Sequence, residues 1–168
     1  MTIKRVYVDL DGVMADMEKR YFELFKMTPR EARLRVSNTE IRKLWKFFVE
    51  TSQFVSLDRH PTCDPLVDYL KTLPRSVVVS TLGSTSGFEY HEMVQRHKLQ
   101  WLKENDIPFV PVFVPGKRYK KGYADHNSFL IDDHPQNVQE FIDAGGYGII
   151  HTNAEETIAA VERFLNGN

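Results

Sequence analysis

The sequence predicts an α/β fold with a doubly wound, parallel β-sheet and a helical insertion after the first strand. Short, nearly continuous apolar runs alternate with helical patterns along most of the chain, and one segment near the N-terminus shows helical patterns only. Strands that alternate with helices are joined by right-handed crossovers, which produce a parallel sheet. Runs such as VVVS and FLID lack polar alternation, as is typical of strands covered on both faces.

The first strand is predicted at residues 3 to 8, where the run IKRVYV leads into DLDG and the glycine ends the strand. Residues 15 to about 50 then follow a helical period. Two Ser/Thr-x-x-Glu runs, beginning at Thr28 and Ser37, predict further helix starts, because the hydroxyl and the carboxylate satisfy free backbone N–H groups. This segment is therefore predicted to be a small helical insertion.

The rest of the chain alternates regularly, without repeats. The pattern predicts, in order, a helix near 64 to 73, strand 76 to 81, a long helix ending near 104, strand 109 to 114, a basic loop, strand 128 to 131, a helix from about 135, strand 148 to 150 and a last helix from about 154.

Composition narrows the function classes. The chain has 168 residues, which indicates one domain, and its formal net charge of −1 argues against a nucleic-acid partner. The single cysteine, Cys63, excludes a disulfide framework or a cysteine zinc cluster within one chain. No apolar run approaches the ~20 residues that cross a bilayer, so we expect a soluble, cytoplasmic protein without a membrane partner.

Polar residues follow three of the predicted strands, at the sheet edge where ligands of such folds bind. They are Asp9 and Asp11, Ser80 and Thr81, and Asp132 and Asp133. An ionised aspartate can attack a phosphate monoester and give an aspartyl-phosphate, while a second carboxylate two residues on serves as general acid and base. Four clustered carboxylates need a cation, and an all-oxygen site favours Mg²⁺.

The runs VYVDLDGV, VVVST and FLIDDHPQNV resemble the motifs of haloacid dehalogenase (HAD) superfamily phosphatases, over nearly the whole chain. The runs DLDGVMAD, HKLQWL and LIDD most resemble the 5'(3')-deoxyribonucleotidase branch. The resemblance implies a Rossmann-like core and Mg²⁺-dependent hydrolysis of a small phosphate ester, and it favours a (deoxy)nucleoside 5'- or 3'-monophosphate as the substrate. A polynucleotide 3'-phosphatase, another small-molecule phosphatase and, more distantly, a phospho-accepting signalling domain are the alternatives.

The resemblance also implies residue roles. Asp9 would be the nucleophile and a metal ligand, and Asp11 the general acid and base, with its backbone carbonyl on the metal. Asp132 would be a direct metal ligand, and Asp133 would hold a metal-bound water or a lysine. Ser80, the first polar residue after three valines, fits the phosphate-binding position of the second motif, and Thr81 fits nearly as well.

The catalytic lysine of the family most resembles Lys98. A capping box at Ser86 to Glu89 would start a helix there and place Lys98 about 18 Å along its axis, too far from a phosphate at its start. We therefore expect a loop around residues 83 to 91. Lys120 is the alternative lysine for the phosphate, with Lys121 as a second one.

By the same resemblance, residues 15 to 60 would form a cap over a core of residues 1 to 14 and 61 to 168. Cap residues expected to meet the substrate are Met17, Tyr21, Trp45 and Phe48; Phe22, Phe47 and Phe54 are further aromatic candidates. Met17 stands where the branch tends to have an aromatic residue, which leaves the base preference open. The sequence predicts no oligomeric state.

Overall fold

A computed structural model describes residues 4–167 and confirms the predicted α/β class. Residue 3 of the predicted first strand lies outside the described residues. The strands are β1 (Lys4–Val8), β2 (Val77–Thr81), β3 (Gly83–Ser84), β4 (Phe113–Val114), β5 (Ser128–Asp132) and β6 (Tyr147–Ile150). The α-helices are α1 (Met17–Phe25), α2 (Pro29–Arg35), α3 (Asn38–Glu50), α4 (Cys63–Lys71), α5 (His91–Glu104), α6 (Pro135–Asp143) and α7 (Ala154–Asn166), with 3-10 helices at Gln53–Ser56 and Lys117–Tyr123.

The main sheet has the order β2-β1-β5-β6, and all of its neighbouring strands are parallel. Strand β1 lies between the strand that follows it in the chain and the much later β5. The chain therefore winds to both sides of β1, and such a switch point opens a crevice beyond the carboxyl end of the strand. Asp9 and Asp11 follow β1 at this crevice.

The strand predicted at residues 109 to 114 forms only in part. Only Phe113–Val114 forms a strand, paired with β3, and Val110 makes one isolated bridge with Ser80. The pairing is irregular at Val112, whose amide donates to the Thr81 hydroxyl at 3.2 Å. The Gly83 amide still donates to the Val112 carbonyl at 3.1 Å, so the segment runs beside β2 and β3 without forming one continuous strand.

Helices α1 to α3 form the insertion, and both predicted capping boxes are confirmed. Thr28 caps α2 and Ser37 caps α3, each with the glutamate three residues on bonding back to the cap. At the base of the insertion, the Asp16 amide donates to the Asp58 carbonyl at 2.9 Å and the His60 amide donates to the Met14 carbonyl at 2.8 Å. The chain thus enters and leaves the insertion side by side.

The interior is continuous from the sheet into the insertion. Buried residues of β1 and β5 pack with Trp101 of α5, whose indole N–H donates to the Leu57 carbonyl at 2.8 Å. Phe48 and Phe54 belong to the same cluster. Within residues 4–167, no helix combines the length and the apolar character that crossing a membrane requires.

Candidate active site

A cavity of about 360 Å³ lies between the crevice after β1 and the inserted helices. The residues that line it are Asp9, Asp11, Gly12, Met17, Glu18, Tyr21, Pro29, Arg33, Ile41, Arg42, Trp45, Ser84, Ser86, Lys117, Lys120, Asp133 and His134. Its floor is made by the strand ends and its roof by α1, α2 and α3. Its size is near the lower end of small-molecule sites.

Lys120 joins two of the predicted carboxylates at the floor. Its Nζ lies 2.8 Å from Asp9 Oδ1 and 2.6 Å from Asp132 Oδ2, and all three residues are buried. Burial alone would lower the pKa of Lys120, but attraction to Asp9 and Asp132 outweighs it and raises the pKa. Lys120 is therefore a fixed positive charge between Asp9 and Asp132.

Asp9, Asp132 and Asp133 form the acidic cluster of the site. Each offers a carboxylate oxygen, and these atoms lie within 4.8 Å of one another. Burial and the nearby Asp9 raise the pKa of Asp132, although the charge of Lys120 opposes this. Burial, Asp9 and Asp132 raise the pKa of Asp133 to about 7. Three oxygen donors that repel one another and leave Asp133 poorly ionised fit a hard divalent cation such as Mg²⁺.

Lys98 reaches the site as well. Its buried Nζ donates to Asp11 Oδ2 at 2.6 Å and to the Ser84 carbonyl at 2.7 Å, and it lies 4.7 Å from the centre of the Phe54 ring. Helix α5 begins at His91 rather than at the predicted capping box, so Lys98 is only about 10 Å along it. The expected loop holds for residues 85 to 90, after the short strand β3.

The second alternative lysine lies elsewhere. Lys121 is exposed, with its Nζ 3.9 Å from Glu140 on α6, and it does not line the cavity. The sequence offered Lys98 and Lys120 as alternative lysines of the site, and the structure brings both of them to the carboxylates. Lys98 contacts Asp11, and Lys120 contacts Asp9 and Asp132.

The prediction for the second motif is wrong in position. Neither Ser80 nor Thr81 lines the cavity, and the Thr81 hydroxyl accepts the Val112 amide at 3.2 Å. Strand β2 pairs Thr81 with Val8, so Thr81 is one level below Asp9. The chain reaches the level of the site only afterwards, where Ser84 and Ser86 line the cavity.

Three of the four predicted substrate-facing residues of the insertion line the cavity: Met17, Tyr21 and Trp45. Phe48 does not. It is fully buried, parallel to Trp45 at 5.9 Å and edge-on to Phe54 at 5.0 Å, so it supports Trp45 from behind. Phe22 and Phe47 are exposed and Phe54 is buried, and none of these three lines the cavity.

Several lining residues escaped sequence reasoning. Charged residues in helices usually face solvent, and the sequence pattern of Arg33, Arg42 and Glu18 is of this kind. These residues line the cavity because helices α1 to α3 lie over the sheet. Lys117 belongs to the basic loop for which the sequence predicts a phosphate role of Lys120 or Lys121, and it also lines the cavity. His134 follows the acidic pair directly, which is the one signal that pointed to it.

A doubly wound sheet with carboxylates after β1 and β5 and a helical insertion after β1 has the design of HAD-like hydrolases. The fold is similar to that of a hydrolase from Streptococcus pneumoniae TIGR4 (14% identity, 96% of this chain and 100% of that chain, TM-score 0.55). It is also similar to a HAD-like family hydrolase from Porphyromonas gingivalis (17% identity, 98% of each chain, TM-score 0.55).

The chain belongs to the family described as "5' nucleotidase, deoxy (Pyrimidine), cytosolic type C protein", which matches residues 2–164. The protein is therefore a phosphatase of a nucleotidase family. No curated protein matches the chain significantly.

Proposed function

We propose that the protein is a Mg²⁺-dependent phosphatase that hydrolyses (deoxy)nucleoside monophosphates through an aspartyl-phosphate on Asp9. The observation that carries this proposal is the surroundings of Asp9. The Asp9 carboxylate forms an ion pair with Lys120 and lies beside the carboxylates of Asp132 and Asp133. Asp9 is at the floor of the cavity, which Asp11 also lines. Nucleophile, fixed cation and acid–base group thus face one space.

Asp9 is held for attack. The Leu10 amide donates to its Oδ1 at 2.8 Å and Lys120 lies on the same oxygen. In the first step, a carboxylate oxygen of Asp9 forms a bond to phosphorus, and the ester oxygen leaves with the proton of the Asp11 carboxyl group. In the second step, Asp11 takes a proton from water, whose oxygen attacks phosphorus, and this releases phosphate and restores the Asp9 carboxylate.

Lys98 positions the general acid and base. It fixes Oδ2 of Asp11, while Oδ1 of Asp11 is buried without a hydrogen-bond partner among the described residues. An unpartnered buried oxygen is costly, and a leaving-group oxygen or a water would satisfy it. Ser84 and Ser86, with Lys117, are the residues that would bind the remaining phosphate oxygens.

Asp9, Asp132 and Asp133, with the backbone carbonyl of Asp11, would hold Mg²⁺. When bound, the ion neutralises charge on the phosphate and keeps the carboxylates ionised. The residues 15 to 60 would act as the cap that excludes water and selects the leaving group, with Met17, Tyr21 and Trp45 facing the nucleoside. The name of the family, which is of a cytosolic type, supports a cytoplasmic location.

The test is phosphate release from 5'- and 3'-monophosphates of the common nucleosides and deoxynucleosides, sugar phosphates and an aryl phosphate, with Mg²⁺ and with EDTA. We expect metal-dependent turnover concentrated on one nucleotide group. Asp9→Asn should lower kcat by about four orders of magnitude or more, whereas Asp143→Asn, at the exposed end of α6, should not. Turnover by the Asp9→Asn variant at the wild-type rate would contradict the mechanism.

A further inference from the structure

A second, open groove of about 500 Å³ continues from the catalytic cavity. The two share Arg33, Ser86, Lys117 and His134 as lining residues. The groove therefore begins where the phosphate-binding part of the cavity ends, on the side of α6 and the loop before β5. A ligand larger than the cavity has this exit available to it.

The groove is cationic although the molecule is nearly neutral. Arg33, Lys117 and Arg118 line it, and Glu140 is the one acidic side chain among its lining residues. The charge of Glu140 is in part matched by Lys121 outside the groove, at 3.9 Å. Charges in solution interact over a Debye length of about 8–10 Å. The charges that line the groove, rather than the net charge of the protein, therefore decide which ligand is attracted. This balance favours an anion.

The groove also carries two aromatic rings that are exposed. Phe88 is 71% exposed and Tyr119 is 38% exposed, and their rings meet edge-on at 5.9 Å. The Arg118 guanidinium lies 5.0 Å from the centre of the Tyr119 ring. A flat ligand such as a nucleic-acid base would stack on the exposed ring of Phe88 and remove its apolar surface from water. Proteins that bind single-stranded nucleic acids combine such aromatic rings with nearby positive charges.

The groove is built before any ligand arrives. The Gly87 amide donates to the Pro115 carbonyl and the Thr85 amide to the Val114 carbonyl, which ties the wall that bears Phe88 to the wall that bears Tyr119. Ser86 has a φ of 60°, a left-handed conformation that turns the chain at this point. A rigid wall reduces the ordering that binding requires.

We propose that this groove is a second subsite, which binds the second nucleotide, counted from the scissile phosphate, of a short single-stranded oligonucleotide. The inference rests on the proposed function, since the terminal phosphate would occupy the catalytic cavity. The base of that second nucleotide stacks on Phe88 and Tyr119, and the phosphodiester that connects the two nucleotides lies against Arg118. The protein then removes terminal phosphates from oligonucleotides more efficiently than from mononucleotides.

The first test compares a thymidine mononucleotide with a terminally phosphorylated tetrathymidylate of the same phosphate position. In the wild type, we expect the oligonucleotide to have a KM lower by about tenfold or more. Phe88→Ala and Arg118→Ala should each raise the oligonucleotide KM by about that factor, and leave kcat and the mononucleotide KM unchanged. Tyr147→Ala and Arg75→Ala, exposed residues away from the groove, are the matched controls.

A second measurement works without turnover. Fluorescence anisotropy of labelled tetrathymidylate with the Asp9→Asn variant should show binding that weakens with salt. Arg118→Ala in that background should reduce the slope of log K against log salt by about 0.7, the value for one phosphate contact on a single strand. If no phosphate ester is hydrolysed, the proposed function fails, and this measurement alone decides the groove.

Equal KM values for the mononucleotide and the oligonucleotide, insensitive to Phe88→Ala, would overturn the proposal. The proposal would also be overturned if thymidine 3',5'-bisphosphate had the same KM as the tetrathymidylate and if Phe88→Ala left that KM unchanged. That result would make the groove a subsite for a second phosphate group only.

Discussion

Lys98 and Lys120 are both almost fully buried, yet they contact different carboxylates of the site. Lys120 compensates Asp9 and Asp132, while Lys98 holds Asp11. A buried charge is tolerable only when it is paired, so each lysine also determines where its carboxylate lies. The division keeps Asp9 and Asp11 separately oriented although they are two residues apart in the chain.

Removing the ammonium group of Lys120 should therefore destabilise the protein. We expect Lys120→Met, measured by urea denaturation in EDTA, to lower the free energy of unfolding by about 3–5 kcal/mol, because two buried carboxylates lose their partner. Lys121→Met, next in the chain but exposed, should change it by less than about 0.5 kcal/mol. Equal effects of the two variants would mean that Lys120 does not carry the charge balance of the site.

Gly12 is required twice over at the turn after β1. Its φ is +80°, and a Cβ atom there would collide with the Asp133 carboxylate. Gly12→Ala should cost about 1 kcal/mol of stability for the backbone strain and also displace Asp133, which weakens Mg²⁺ binding.

Gly145→Ala separates the two effects, since Gly145 has a φ of +96° and open space around its Cβ position. Titration calorimetry with Mg²⁺ should show weaker binding for Gly12→Ala only. Unchanged Mg²⁺ affinity in Gly12→Ala would argue against Asp133 as a ligand.

At the scale of elements, the order of strands and helices followed from hydrophobic pattern, and the acidic residues followed from the strand ends. The second motif did not, because the apolar run VVV ends before the chain reaches the level of the site. Pairing of Thr81 with Val8 shows that the chain must run on to Ser84 to be level with Asp11. Register between strands is a property of the assembled sheet, and one strand's sequence does not contain it.

The capping box at Ser86 failed for a local reason. An N-cap residue adopts an extended conformation, whereas Ser86 has a φ of 60° and its amide donates to the Ser84 hydroxyl. The true boxes at Thr28 and Ser37 are extended and make both reciprocal hydrogen bonds. Sequence alone gives the three patterns equal weight, and tertiary contacts of the 84–88 loop decide among them.

Helix α3 carries one aromatic ring into the cavity and one into the core, and variants should separate the two. Trp45→Ala should raise KM for the nucleotide substrate by about tenfold and leave an aryl phosphate nearly unaffected. Phe48→Ala should instead lower the free energy of unfolding by about 3–5 kcal/mol, with Phe48→Leu costing less. Michaelis–Menten kinetics and urea denaturation of the same variants check this, and a nucleotide KM unaltered by Trp45→Ala would count against the cap assignment.

Across the whole molecule, a partly buried chain of hydrogen bonds ties His151, directly after the last strand, to the turn after β1, where the Thr62 hydroxyl donates to the Val13 carbonyl at 3.3 Å. His151 Nδ1 contacts the Thr157 hydroxyl at 2.8 Å, and its Nε2 contacts the Thr62 hydroxyl at 2.8 Å. The Thr62 hydroxyl also reaches His60 Nδ1, at 2.7 Å. Burial, and then the neighbouring His60, lower the pKa of His151 from 6.5 to about 4.

This low pKa makes stability depend on pH. Between pH 6.5 and 4 the unfolded chain binds a proton at His151 that the folded protein does not, so the free energy of unfolding falls as the pH falls. The loss assignable to His151 approaches about 3 kcal/mol at pH 4. Urea denaturation from pH 7 to 4.5 should show a shallower decline for His151→Asn than for the wild type, with the exposed His126→Asn as control. Identical slopes in all three proteins would contradict the assignment.

The paired backbone hydrogen bonds of Asp16 with Asp58 and of His60 with Met14 make the inserted segment a closed excursion of the chain. Closing such a loop costs entropy that grows only with the logarithm of its length. Residues can therefore be added or removed between these two points at little cost to the sheet. Asp9 and Asp132 lie outside the excursion. The leaving-group selection that we propose for this segment can therefore diverge among descendants of one ancestor while the carboxylate cluster stays the same.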